Sequence, residues 1–125
     1  MAQDTPETPL FNAALQDLHE VLGQKKVQDL ATRYLDEGET ALPRIIQTFE
    51  SADHGAAQAL VHSFAGSCAT FGATGLQTIL AGMESDLKRG RPESARAALP
   101  RLGLIWAKSK VELNHRLAEM GDARA

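Results

Sequence analysis

Apolar residues in this chain recur every three or four positions, and no stretch alternates apolar with polar residues for long. That spacing follows the 3.6-residue turn of a helix and argues against half-buried strands. The fullest stripe runs Val27, Leu30, Tyr34, Gly38, Leu42, Ile45 and Phe49. It keeps its phase across Gly38 and Pro43, which predicts one long helix, kinked where proline removes a backbone donor. Two helices split near residues 37–40 are the alternative. A shorter stripe, Phe11, Leu15, Leu18 and Leu22, precedes it and stops near Gly23. Thr8 and Pro9 there suit an N-cap and a first helical residue, a position at which the missing proline N–H costs nothing.

Asp53 is placed to cap a third helix that runs to about Phe71 and ends near Gly72. Thr74 is placed to cap a fourth, striped by Leu76, Leu80, Met83 and Leu87 and stopped by Gly90. Pro92 sits where a first helical turn tolerates it. A fifth helix carries Leu99, Leu102, Trp106, Leu113 and Leu117 in phase, with Pro100 bending it or delaying its start. Short loops and four long helices predict an all-α fold, an antiparallel four-helix bundle with an additional short N-terminal helix. Residues 9–120 form its single domain, between flexible termini at 1–8 and 121–125.

Composition narrows the function classes. A chain of 125 residues fits one domain with a modest core. A net charge of −3 does not advertise a nucleic-acid or acidic-membrane partner. No run approaches the roughly 18 apolar residues of a membrane span. The start, MAQDTPETPLF, lacks the basic and apolar regions of a secretory signal, and Cys68 is the single cysteine. The expectation is a cytoplasmic, monomeric protein.

The third helix holds an unusual histidine. At about 100° per residue, Gly55, Gln58, Ala59, Ala65, Gly66, Ala69 and Ala73 fall within about 60° of His62. Leu60, Phe64 and Phe71 fall on the opposite side with Ser67, so His62 points away from the core. An ordinary solvent-facing strip carries Lys, Glu, Gln and Arg; this one is nearly bare. Periodicity admits two readings. Either the small residues let a partner's surface approach the imidazole, or they let a neighbouring helix bury a hydrogen-bonded histidine. His19, His54 and His115 stand singly, are expected to be solvated, and have no zinc-site spacing.

HSFAGSCATFGATGLQTILAGMESDLKRG, residues 62–90, resembles the signature of histidine-containing phosphotransfer domains. His62, Phe64, Gly66, Ser67, Phe71, Gly72, Ala73, Leu76, Met83, Glu84, Lys88 and Gly90 match it in register. With the flanking helices the likeness covers roughly residues 9–118. It implies a four-helix bundle that passes phosphoryl groups between its histidine and the aspartate of response-regulator receiver domains, within a sensor or hybrid histidine kinase pathway. It implies no cofactor of the chain's own, Mg²⁺ being expected in the partner receiver. Neither nucleic acid nor membrane is an expected partner.

The chemistry of the matched residues agrees. A neutral imidazole, which titrates at about 6.5, is a nucleophile near neutral pH. His62 is then the phosphoacceptor, and phosphoryl transfer needs mainly in-line positioning and charge neutralisation. Gly66, one turn on, gives steric access to it. Lys88 is the expected countercharge, though it is also placed to pair with Glu84 at i, i+4; Arg89 is a weaker candidate. Gln58, Ala59, Ala65, Ala69, Ala73, Gln77 and Glu84 outline the docking face. Ser67, on the core side, is expected to pack or to bond backbone. Cys68 reads as a small buried hydrophobe with no basic neighbour in sequence to activate it. The departure is Ala65, where the family usually carries Lys or Arg.

Three rivals remain. A histidine kinase needs an ATP-binding domain, and the chain has no phosphate-binding glycine loop. A non-catalytic adaptor would bind a receiver or another protein without carrying phosphate, a reading that Ala65 keeps open. A plain helical interaction module would bury His62.

Overall fold

The computed structural model describes residues 9–124. Among them the chain forms α1 (Ala14–Leu22), α2 (Gln24–Glu50), α3 (His54–Phe71), α4 (Thr74–Lys88), α5 (Pro92–Ala97) and α6 (Leu99–Arg124), with no strand. The fold is all-helical, as the 3–4 spacing predicts.

α2 runs unbroken through both suspected interruptions. Gly38 faces inward, and a Cβ there would enter the indole of Trp106, so glycine is what lets α6 approach. Pro43 lies on the exposed side, where water reaches the carbonyl left open by its missing N–H.

The N-terminal reading needs correction. Pro9 is not helical, and α1 starts at Ala14, whose N–H donates to Asn12 Oδ1 at 2.8 Å. Residues 9–12 instead cross the α3–α4 turn. Asn12 N–H donates to the Gly72 carbonyl at 2.8 Å, and Gly75 N–H to the Leu10 carbonyl at 3.2 Å. Phe11 is buried from this irregular segment rather than from a helix. Thr8, the expected flexible segment 1–8 and Ala125 lie outside the described residues, while α6 continues past residue 120 to Arg124.

His19 is buried, not solvated. It falls one turn after Leu15, and its Nε2–H donates to Gln24 Oε1 at 2.7 Å. Gln24 in turn donates to the Leu117 carbonyl at 3.1 Å, which ties α1, α2 and α6 together and satisfies the buried ring.

Asp53 caps α3 as expected, its Oδ1 accepting from Ala56 N–H at 3.1 Å. Gly72 ends α3 at φ +69°, and Ala73 N–H reaches back to the Cys68 carbonyl at 2.8 Å, a closure that favours glycine. Thr74 does not cap α4. It is already helical, and its hydroxyl donates to the Gly72 carbonyl at 3.2 Å while Ala73 takes the cap position. Gly90 closes α4 at φ +73°. Pro92 then opens a separate short helix, α5, which the sequence reading did not distinguish. Pro100 sits in the first turn of α6, where no intrahelical bond needs its N–H.

α3 packs against α2 and α4, and α6 against the same two helices; α1 lies on α2 and α3, and α5 on α4 and α6. Aromatic rings fill the centre. Tyr34 stacks on Phe71 at 4.8 Å and on Phe64 at 6.0 Å, and Trp106 meets Phe64 edge-on at 5.8 Å. Each such ring contributes about 1.5–3 kcal/mol by leaving water, and the pairing adds about 0.5–1.5 kcal/mol. Cys68 is fully buried with its sulfur 3.6 Å from the Tyr34 hydroxyl. Burial pushes its thiol up to about 12 against the opposing hydrogen bond from Tyr34, so it packs rather than reacts.

Candidate functional site

Phe64 is wholly buried and Leu60 is packed on the core edge, and those two positions turn the opposite side of α3 outward. His62 sits there near mid-helix with its side chain 75% exposed. The open reading of the imidazole holds and the buried one does not. Apart from the adjoining backbone of α3 itself, no atom lies within 4 Å of where a Gly66 side chain would start, so the approach one turn on is clear.

The ring is nevertheless held. His62 Nδ1 lies 2.8 Å from Glu84 Oε2 on α4. A carboxylate only accepts hydrogen bonds, so Nδ1 carries the hydrogen and the lone pair of the neutral ring is on Nε2, facing outward. Glu84 is mostly buried at its side chain, 15% exposed, and the same Oε2 lies 3.3 Å from Lys88 Nζ. Burial works to raise the Glu84 carboxyl, but the hydrogen bonds from Lys88 and then His62 outweigh it and hold it below the ordinary carboxylate range.

Sequence reading marked Glu84 as a motif match, a docking residue and the i, i+4 partner of Lys88, but not as the imidazole's partner, which it is. The turn between α3 and α4 held the signal. His62 and Glu84 lie eleven residues on either side of Ala73, so an antiparallel hairpin of helices sets them side by side. Lys88 follows Glu84 by one turn and makes the i, i+4 pair expected of it while remaining exposed. Lys88 and Arg89 line a shallow hollow of about 300 Å³ beside Glu84, with Ala81 and Ser85.

Most of the expected docking residues are at least partly exposed. Ala59 and Ala69 are exposed on α3, Gln58 is half-buried there, and Gln77 is half-buried on α4. Ala65 is half-buried against the core edge. Ala73 leaves the set because it is fully buried. Its helical angle counted through Gly72, whose left-handed φ ends the helix and turns the chain inward. Ser67 bonds neither backbone nor core; its hydroxyl donates to the Glu37 carboxylate on α2 at 2.8 Å. His54 is exposed, and His115 lies 3.3 Å from Glu119 on the surface. Among the described residues no group of three or more His, Cys, Asp or Glu side chains is placed to hold a metal ion.

The open imidazole on a bare helix face agrees with the sequence reading, and the hold on one nitrogen from the next helix is what the structure adds. The family model described as the Hpt domain matches residues 29–123. The chain belongs to the Hpt domain family. The fold agrees independently. The X-ray structure of a rice protein classed as a histidine-containing phosphotransfer protein superposes with a TM-score of 0.78 at 17% sequence identity, covering 93% of this chain and 85% of that one. No curated protein matches the chain significantly. Among the described residues of this Hpt domain, no helix is long and apolar enough to cross a membrane.

Proposed function

We propose that this Hpt domain is a phosphorelay intermediate that accepts a phosphoryl group on His62 Nε2 and exchanges it with the aspartate of a response-regulator receiver domain. The observation that carries the reading is the imidazole itself, open at Nε2 and held at Nδ1 by Glu84. The Nε2 lone pair attacks phosphorus in line, the bond from phosphorus to the aspartate oxygen breaks, and the carboxylate leaves with its electron pair. The Nδ1 proton stays on the ring, where Glu84 meets the positive charge that builds during attack. The reverse step returns the group to a receiver.

Lys88 is the countercharge for the phosphoryl oxygens in this reading, shared with Glu84 until phosphate arrives. Gly66 and the exposed part of the small-residue strip, Ala59 and Ala69, let the receiver close on the imidazole, with Gln58 and Gln77 at its edges. The receiver brings the aspartate and its Mg²⁺, and the chain needs no nucleotide site of its own. The four long helices α2, α3, α4 and α6 form the bundle that presents the site, and the chain works in the cytoplasm within a sensor or hybrid histidine kinase pathway.

The test is incubation with a phosphorylated receiver, followed by detection of acid-labile phosphate. Wild-type chain is expected to label at His62, and His62→Gln to lose the label with unchanged circular dichroism. Binding of the receiver without any labelling would instead support the adaptor reading, which Ala65 favours by removing the usual second cation.

A further inference from the structure

α6 has two apolar faces. Leu102, Trp106, Leu113 and Leu117 turn inward and are buried. Pro100, Leu104, Ala107, Val111, Asn114 and Ala118 are exposed, with Leu104 at 55% and Val111 at 71%. Their spacing alternates four and three residues, which is the seven-residue repeat of a seam between two packed helices. Single exposed apolar residues are ordinary, but here five of six seam positions are apolar along about 27 Å of helix.

We propose that this seam joins two copies of the chain, α6 against α6 in antiparallel orientation. The stripe is complementary to itself when centred on Ser109: Leu104 lies against Asn114 of the second copy, Val111 against Ala107, and Pro100 against Ala118. Each larger side chain thus meets a smaller one. The charges on one flank agree. Arg101 and Lys108 stand in the first half of the seam, Glu112 and Glu119 in the second. Antiparallel pairing brings Lys108 within about 3 Å along the axis of Glu112 in the second copy, and Arg101 within the same distance of Glu119. In a parallel pair the two copies of this flank lie on opposite sides of the seam, so Lys108 and Glu112 would not meet. Glu112 and Glu119 already contact Arg116 and His115 on their own helix, but such partly exposed pairs hold by no more than about 1 kcal/mol and yield readily.

The dimer leaves the phosphoryl site open. His62 lies beyond Phe64 on the far side of α3, and the seam lies beyond Trp106 on the far side of α6, with Phe64 and Trp106 in contact between them. Two copies therefore present two imidazoles on opposite outer faces. One helix stripe buries less than the roughly 800 Å² per partner of a standard interface, which places the pair among weak, reversible associations.

Sedimentation equilibrium of the full chain from about 5 to 500 μM tests this. The expected mass rises from 13.5 kDa towards twice that value with concentration. Leu104→Glu with Val111→Glu is expected to hold it at the monomer with unchanged circular dichroism. Lys108→Glu should weaken association about tenfold, and adding Glu112→Lys should restore it. A monomer at every concentration, or a dimer indifferent to the glutamate pair, would overturn the proposal. If the glutamate pair disturbs folding, oxidising a mixture of Ala107→Cys and Val111→Cys chains decides instead. A disulfide-linked heterodimer is expected, and its absence counts against the seam; Cys68 is buried and does not compete.

Discussion

Glu84→Ala is expected to slow phosphoryl acceptance at His62 by about 10- to 100-fold, and Glu84→Gln by about 5- to 10-fold. The magnitudes follow from the 2.8 Å contact between Glu84 Oε2 and His62 Nδ1. A hydrogen bond to a charged group contributes about 1.5–3 kcal/mol, against about 0.5–1.5 kcal/mol for a neutral one. Glutamine keeps an acceptor for Nδ1–H and loses the charge, a difference of about 1 kcal/mol. Alanine loses the whole bond and frees the ring to carry its hydrogen on Nε2, where the lone pair is needed. About 1.4 kcal/mol is a factor of ten in rate, and the ring's 75% exposure places both effects in the lower part of their ranges. Rapid-quench single-turnover transfer from a saturating phosphorylated receiver measures the step. Lys88→Ala belongs in the same series, because removing Glu84 also releases Lys88 from its 3.3 Å contact. If Glu84→Ala transfers at the wild-type rate, Glu84 does not set the ring and the reasoning fails.

Gly66→Gln should slow transfer about tenfold or more by standing where the receiver closes, while its Tm holds or rises by about 3–5 °C, since glycine costs a helix about 1 kcal/mol. Gly38→Ala should lower Tm by several degrees, because fitting a Cβ against Trp106 costs about 1–3 kcal/mol, more than the helix gains; Gly82→Ala, with open space around it, should raise Tm in the same calorimeter. Ser109 Oγ is buried without a hydrogen-bond partner among the described residues, so Ser109→Ala should stabilise by about 1 kcal/mol, read as a Tm increase of about 3–5 °C. The Glu84 carboxyl is held below its ordinary value, so its ionised form stabilises the fold above that value and the contribution is lost as pH falls through the lowered one. The Tm difference between wild type and Glu84→Gln should therefore be positive at neutral pH and vanish in acid.

What the sequence revealed was what repeats along one helix. The stripe from Val27 to Phe49 carried α2 through Gly38 and Pro43, and the position of Phe64 opposite His62 placed the imidazole outside. Angles stop being informative where the helix stops, and Ala73 was misplaced by one left-handed glycine. Contacts between helices leave weaker traces. Ser67 with Glu37, His19 with Gln24, and Gly38 beneath Trp106 depend on how two elements meet, which no single stripe records. The strap at residues 9–12 was missed for a related reason: Pro9 suits a helix start, but the carbonyl of Gly72 offered Asn12 N–H a partner that local propensity cannot see.

That strap sets how the native state opens. Asn12 serves two helices at once, its side chain accepting from Ala14 at the head of α1 and its amide donating to Gly72 at the end of α3. The two backbone bonds that fasten it join segments roughly sixty residues apart, and releasing them breaks no helical bond in α2, α3, α4 or α6. In native-state hydrogen exchange the amides of Asn12 and Gly75 should become labelled together, through a small opening that leaves the amides around Phe64 protected. Local release of the chain's entry segment and global unfolding then become two separately measurable events.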